Sequence, residues 1–330
     1  MRIGWIGFHT EGVRPFRAVL DAGVPIVALV TLTPEHAATR SGAADYGPLC
    51  HYYGVPQHVV ANINDDDAVA LLESLDLDLA FVIGWTQLVR APARTRVRRG
   101  LIGAHASMLP ALRGRAPVNW ALIRGLSQTG NTLFWLADAA DQGDIIDQRT
   151  IAISPYDTCA SLYDKVAESS ARMILDALPA LMSGERPARR QPAIDEPALP
   201  ARRPEDGVID WARPAMAVYD TIRALTRPYP GAFSWLTGRR YRIWDAALLP
   251  EALTASTQAP GTVLGPVWSP RAEACGLAVA CWPGAVLLLE LEDDAGAVLR
   301  GRRLSECPWT GHAWEESHEV GSRARAGRAS

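Results

Sequence analysis

The stretch from Leu101 to Thr150 constrains this 330-residue chain more than any other part. Leu101–Ala104 is a short apolar run that reads as a buried strand and delivers His105 at its exit. A loop studded with Pro and Arg follows, from Ser107 to Pro117. Pro117 suits the first turn of a helix, where its missing N–H would be unpaired anyway, and that helix is expected from Val118 to Arg124, before Gly125. Asn131–Leu136 has the β-branched and aromatic content of a further strand, which feeds Ala137–Gly143 and then the apolar pair Ile145-Ile146. His105 therefore leaves one strand while Asp141, 36 residues on, sits just past another, the setting in which α/β proteins build their sites. An imidazole accepts a proton near neutral pH, and a carboxylate can orient and stabilise the resulting imidazolium. A structural His and a turn Asp would satisfy the same spacing, so spacing alone leaves both readings open.

The wording of the stretch separates them. His105-Ala-Ser107-Met-Leu-Pro110 is followed by Arg113-Gly114-Arg115-Ala-Pro117 and Asn119-Trp120, then by Thr129-Gly130-Asn131-Thr132 and Asp141-Gln142-Gly143-Asp144-Ile145. This order resembles the signature of the folate-dependent formyltransferases, which runs Asn-x-His, Ser-Leu-Leu-Pro, Arg-Gly-x-x-Pro, Thr-Gly-x-Thr and Asp-x-Gly. Residues 1–305 resemble the two-domain methionyl-tRNA and sugar-amine members, the aminoarabinose formyltransferase among them. The resemblance implies an α/β fold, with a Rossmann-like formyltransferase domain over 1–184, a linker over 185–205 and a small OB-like β-barrel domain over 206–306. It also implies a transferase that uses N10-formyl-tetrahydrofolate as co-substrate and no metal. His105 would serve as general base and oxyanion partner, and Asp141 would orient it. Gln87, Leu88 and Val89, with Ala139 and Asp141, would line the folate pocket. One position departs from the pattern: the family Asn two residues before the His is Gly103 here. Asn131, where the family more often carries an apolar residue, is the candidate replacement donor.

Composition narrows the acceptor. The 33 basic and 36 acidic residues give a formal net charge of −3, a poor footprint for a nucleic-acid binder. The segment Pro34–Pro56 holds Arg40 and no Lys, whereas the methionyl-tRNA enzymes carry a long basic insertion in the corresponding region. The acceptor expected is therefore a primary amine on a small molecule, a nucleotide-linked amino sugar before any other. Arg113, Arg115 and Arg223 are candidates to meet its diphosphate, with Tyr229 also in the substrate-binding set. Methionyl-tRNA formyl transfer is the second reading. A folate-binding protein without transferase activity is the third, motivated by Gly103. The five cysteines are scattered, with no CxxC pair, so a reduced cytoplasmic compartment is expected. No run approaches 18 apolar residues, so no membrane span is expected, and a homodimer is left open.

The flanking sequence supplies scaffolding. Arg2–Gly7 and Val24–Leu32 read as strands, the second of the continuous apolar kind found in parallel sheets, with a helix over Val13–Asp21 between them. Gly4, Gly7 and Gly12 do not make a dinucleotide fingerprint. Asp65–Asp67 caps a helix to Leu75, and Leu79–Gly84 is a strand. Ile151–Ser154 reads as another strand, and Leu162, Val166, Ile174 and Leu178 mark one face of a long helix that ends by Gly184. Glu185–Pro204, rich in Pro, Arg and Ala, reads as a surface linker. Short strands over 240–244, 260–264, 277–281 and 285–290 suggest the barrel, and Cys307–Ser330 reads as a disordered tail.

Overall fold

The computed structural model describes residues 1–249, 258–268 and 275–316. The chain divides into two compact units, the first comprising Met1–Val118, Ser127–Ser154 and Ser161–Ala201, the second the remainder. Seven strands build the first unit: β1 (Ile3–Ile6), β2 (Ile26–Leu32), β3 (Gln57–Val60), β4 (Leu79–Val82), β5 (Leu101–His105), β6 (Gln128–Trp135) and β7 (Ile145–Ala152). The same unit holds α1 (Thr10–Asp21), α2 (Pro34–Ala38), α3 (Gly47–Tyr53), α4 (Asp66–Ser74), α5 (Ala91–Arg94) and most of α7 (Cys159–Met182), whereas α6 (Pro117–Ile123) falls mainly in the second.

The sheet order is β3-β2-β1-β4-β5-β6-β7. The first five strands in that order are parallel, and β6 and β7 run antiparallel to their neighbours. The order reverses at β1 and β4, so the crevice for ligands is expected at the carboxyl ends of β1, β4 and β5. Alternation along each strand feeds two cores. Trp5, Phe81, Leu133 and Trp135 pack with Phe16 and Val19 of α1 and with Met173, Ile174 and Leu178 of α7. On the other face Ile6, Val82 and Leu101 pack with Ala68 and Leu72 of α4. The apolar stripe read from the sequence of α7 is buried at all four positions. Pro179 does not interrupt that helix. Strand β3 escaped the sequence reading because it is an edge strand with only Val60 buried. Ile145-Ile146 and Ile151 proved to be the two ends of the single strand β7.

The second unit begins its sheet after α8 (Ala215–Leu225), with β8 (Ala232–Leu236), β9 (Arg239–Leu248), β10 (Val263–Val267), β11 (Gly276–Ala280), β12 (Ala285–Asp293), β13 (Val298–Arg300), α9 (Arg302–Ser305) and β14 (Trp314–Glu315). The order β10-β11-β12-β9-β8-β14 curls antiparallel until its edges meet at the bridge between Thr262 and Ala313. There the N–H of Val263 donates to the His312 carbonyl at 2.8 Å and that of Trp314 to Gly261 at 2.9 Å. The expected tail therefore starts too early at Cys307. Trp314 is buried, stacks near Trp211 and Tyr241, and pairs with Leu236, so the barrel claims the chain through residue 316. Residues 317–330 lie outside the described residues.

Candidate active site

His105 is the last residue of β5 and is 8% exposed. Its Nε2 stands 3.0 Å from the Leu112 carbonyl, and its Nδ1 stands 3.7 Å from Asp141 Oδ1. Both ring nitrogens thus face oxygen acceptors, and a ring carrying two protons can direct one to each. Asp141 sits in the loop between β6 and β7 with φ +56, a left-handed conformation that Asp tolerates better than most residues. Its other carboxylate oxygen accepts the Gly114 N–H at 3.1 Å. Sequence reasoning paired these two residues, and the fold brings them together.

Three non-glycine residues with positive φ, Leu112, Ala116 and Asp141, lie in the two loops that meet at this pair. Each costs about 1–3 kcal/mol and persists only where its surroundings over-determine it. The surroundings here include the segment expected to be a free linker. Leu199 brackets Gly114, donating its N–H to the Arg113 carbonyl at 2.6 Å and accepting from Arg115 N at 3.1 Å. A Cβ at Gly114 would stand 2.5 Å from Leu199 N, which explains the glycine. Arg189 exchanges two backbone hydrogen bonds with Ile145, each 2.8 Å. Residues 185–201 are therefore tied to the first unit rather than loose over its surface.

Gly103 shares a sheet face with His105, since both are two apart on β5. A Cβ there would stand 2.7 Å from Leu136 Cδ2 and 3.5 Å from the Phe134 ring. A side chain at this position meets Leu136 and Phe134, and room for it requires the end of the Leu136 side chain to shift. Asn131 does not replace the family Asn. His105 pairs in register with Thr132, so Asn131 points to the opposite face. There it is fully buried and its Nδ2 donates to Val166 O at 3.1 Å and Ser170 Oγ at 2.8 Å on α7. The expectation that Asn131 serves as a replacement donor is therefore corrected.

The remaining candidates divide. Gln87 turns its side chain away into the scaffold, accepting from Ile63 N and donating to Ala61 O, both at 2.8 Å. Leu88 next to it is 49% exposed, Val89 is buried, and Ala139 is exposed beside Asp141. Arg115 reaches the Thr86 carbonyl at 3.4 Å, and neither it nor Arg113 has a carboxylate partner among the described residues. Arg223 belongs to the second unit, is 7% exposed, and is held by Asp220 at 2.7 Å and the Asp157 carbonyl at 2.7 Å. Those contacts use its guanidinium for structure, which corrects its assignment to the substrate. Tyr229 lies half-buried in the turn after α8, in the same unit.

Sequence reasoning passed over a second buried pair at the carboxyl end of β1. His9 Nδ1 accepts the Glu11 N–H at 3.2 Å, and burial holds the ring down at a pKa of about 4. Burial also raises the Glu11 carboxyl to about 7. It passed over Gln191 as well, whose Nε2 donates to the Asp141 carbonyl at 2.9 Å and the Gly143 carbonyl at 2.7 Å.

The chain thus joins a Rossmann-like sheet, with a His–carboxylate pair at its carboxyl edge, to a following antiparallel barrel, the two-part build of an α/β protein with a candidate site at the strand ends. The family described as "Formyl transferase" matches residues 17–178, and "Formyl transferase, C-terminal domain" matches residues 202–306. The chain belongs to the formyl transferase family. Among solved structures, HypX from Aquifex aeolicus in complex with tetrahydrofolic acid is 18% identical with a TM-score of 0.63, covering 92% of this chain and 46% of that one. This chain thus spans about half the length of the HypX chain. An N-formyltransferase from Helicobacter canadensis, in complex with folinic acid and dTDP-3-aminofucose, is 14% identical with a TM-score of 0.61, covering 87% and 98%. WlaRD, a sugar 3N-formyl transferase in the presence of dTDP and 5-N-formyl-THF, is 12% identical with a TM-score of 0.61, covering 87% and 97%. At these identities the likeness is one of fold.

Proposed function

We propose that the protein moves the formyl group of N10-formyl-tetrahydrofolate onto a primary amine of a small molecule, of the nucleotide-linked amino-sugar class. The observation that carries this reading is the His105–Asp141 pair at the carboxyl edge of the sheet. In the reaction the amine lone pair attacks the formyl carbon, the carbonyl becomes an oxyanion, the bond to N10 breaks, and N10 gains a proton as the amine loses one. Donors aimed at such an oxyanion are worth roughly 10²–10³-fold each. Gly103 offers no side chain for that duty, and Asn131 lies on the other face. The duty falls to His105, which gives the oxyanion a hydrogen bond and handles the proton while Asp141 holds the ring. Substrate displaces the Leu112 carbonyl from Nε2 to reach it.

The folate reading is supported by the relatives solved with folates bound, and by the exposed apolar Leu88 beside buried Val89 on the loop after β4. Ala139 and Asp141 would meet the folate from the opposing loop. The acceptor class is supported by Arg113 and Arg115, whose guanidinium forks suit a diphosphate and have no carboxylate partner among the described residues. Arg40 is the single Lys or Arg across residues 34–56, which disfavours a tRNA acceptor stem. The five cysteines are all free, in keeping with a reducing, cytoplasmic setting.

The test is formyl transfer from N10-formyl-tetrahydrofolate, followed by mass spectrometry, against nucleotide-linked amino sugars on one side and charged initiator tRNA on the other. A gain of one formyl group on an amino sugar supports the proposal. Transfer to tRNA alone overturns the acceptor class. Formate release without any amine makes the protein a hydrolase instead.

A further inference from the structure

We infer that Gln191 is a positioning residue for Asp141, and that the strap 189–199 is part of the catalytic apparatus rather than a spacer. The inference rests on His105 and Asp141 being the reactive pair. Asp141 is held from three sides. Its carboxylate accepts the Gly114 N–H at 3.1 Å and faces His105 Nδ1 at 3.7 Å, while its main-chain carbonyl accepts from Gln191 Nε2 at 2.9 Å. The second N–H of that amide goes to the Gly143 carbonyl at 2.7 Å, so Gln191 spans the tip of the loop and fixes both residues that flank Gln142.

The strap holds the opposite loop as well. Leu199 is bonded on both sides of Gly114, the residue that donates to the Asp141 carboxylate. Arg189 Nη2 donates to Gln148 Oε1 at 2.7 Å, and Gln148 Nε2 donates to Leu109 O at 2.7 Å, within the loop that follows His105. One segment of chain therefore sets the position of both catalytic loops. Three residues of those loops adopt positive φ without being glycine, so they need such an external hold. The Gln191 side chain acts through its two N–H groups, and its Oε1 is buried with no hydrogen-bond partner among the described residues.

The test uses the full-length protein and the variants Gln191→Met, Asp141→Asn and His105→Gln. Met keeps the length and volume of Gln and removes both donors together with the unpartnered oxygen. Imidazole NMR signals, with His105→Gln as the assignment control, report the catalytic ring. Melting temperature reports the fold, and transfer to dTDP-3-aminofucose, a nucleotide-linked amino sugar, reports chemistry. The inference predicts that in Gln191→Met the His105 signal moves toward its position in Asp141→Asn. Turnover is predicted to fall about 10- to 100-fold with the amine's KM unchanged, as small misplacements of reacting groups do, a loss larger than the lowered melting temperature from two lost hydrogen bonds accounts for. It is overturned if the His105 signal stays at the wild-type position, or if turnover falls only in step with melting. If the wild-type protein transfers nothing to the amine, the acceptor reading fails by that result, and the His105 signal in Gln191→Met still decides the role of Gln191.

Discussion

Restoring the family's Asn at position 103 is predicted to damage the protein. Gly103 is buried in β5 between β4 and β6, so its backbone has little room to retreat. The first side-chain atom alone would come within 2.7 Å of Leu136 Cδ2, and the rest must pass the Phe134 ring at 3.5 Å. Because Leu136 Cδ2 is the far end of a flexible side chain, the overpacking costs about 1 kcal/mol, the low end of the usual range. An amide pressed against Leu136 and Phe134 loses water without gaining a partner, for about 1–3 kcal/mol more. Gly103→Asn should therefore lower unfolding stability by roughly 2–4 kcal/mol and raise no rate. Urea denaturation of Gly103→Asn, Leu136→Ala and the double variant measures this directly. If the clash with Leu136 is the cause, the double variant is more stable than the sum of the two single changes by about 1 kcal/mol or more. A Gly103→Asn protein as stable as wild type, with faster formyl transfer, would refute the argument that a side chain here has to displace Leu136.

Asn131→Ala should leave kcat unchanged, since that side chain faces α7, while two lost buried hydrogen bonds lower stability by about 1–3 kcal/mol; a large loss of kcat at unchanged stability would contradict this. Glu11 carries its charge at a cost: burial raises its pKa from 4.5 to about 7 on folding. The unfolded chain releases that proton first, so the native state loses stability as pH rises from 4.5 through 7, and is fully penalised above. Glu11→Gln should therefore gain up to about 3 kcal/mol over wild type at pH ~8 and little at pH ~4, read from denaturation curves at both values. An equal effect at the two pH values would show that the carboxyl is not desolvated.

The parts of the fold that were legible in the sequence are those with strong periodicity or strong chemistry. The buried stripe of α7 and the continuous apolar strands β1, β2 and β4 announce themselves, because each has a single face or a single environment to satisfy. An edge strand does not: β3 exposes most of its residues. His105 and Asp141 were legible because the order of residues around them is distinctive, although no local rule places them 3.7 Å apart. Asn131 and Arg223 misled for one reason. Residue type suggests what a side chain could do, while strand parity and an i,i+3 acid decide where it is spent. Gln191 was illegible because side-chain bonds to main-chain carbonyls have no sequence period, and a segment rich in Pro, Arg and Ala gives no other signal.

The central claim is that His105 carries the chemistry and not the binding of the folate. The most direct test measures single-turnover formyl transfer and tetrahydrofolate affinity on the same preparations of wild type and His105→Ala. The account predicts that transfer falls by roughly 10²–10⁴-fold, the usual range for a proton-handling group, while folate affinity and melting temperature hold. Transfer at the wild-type rate by His105→Ala, or loss of folate binding and transfer together, would contradict it.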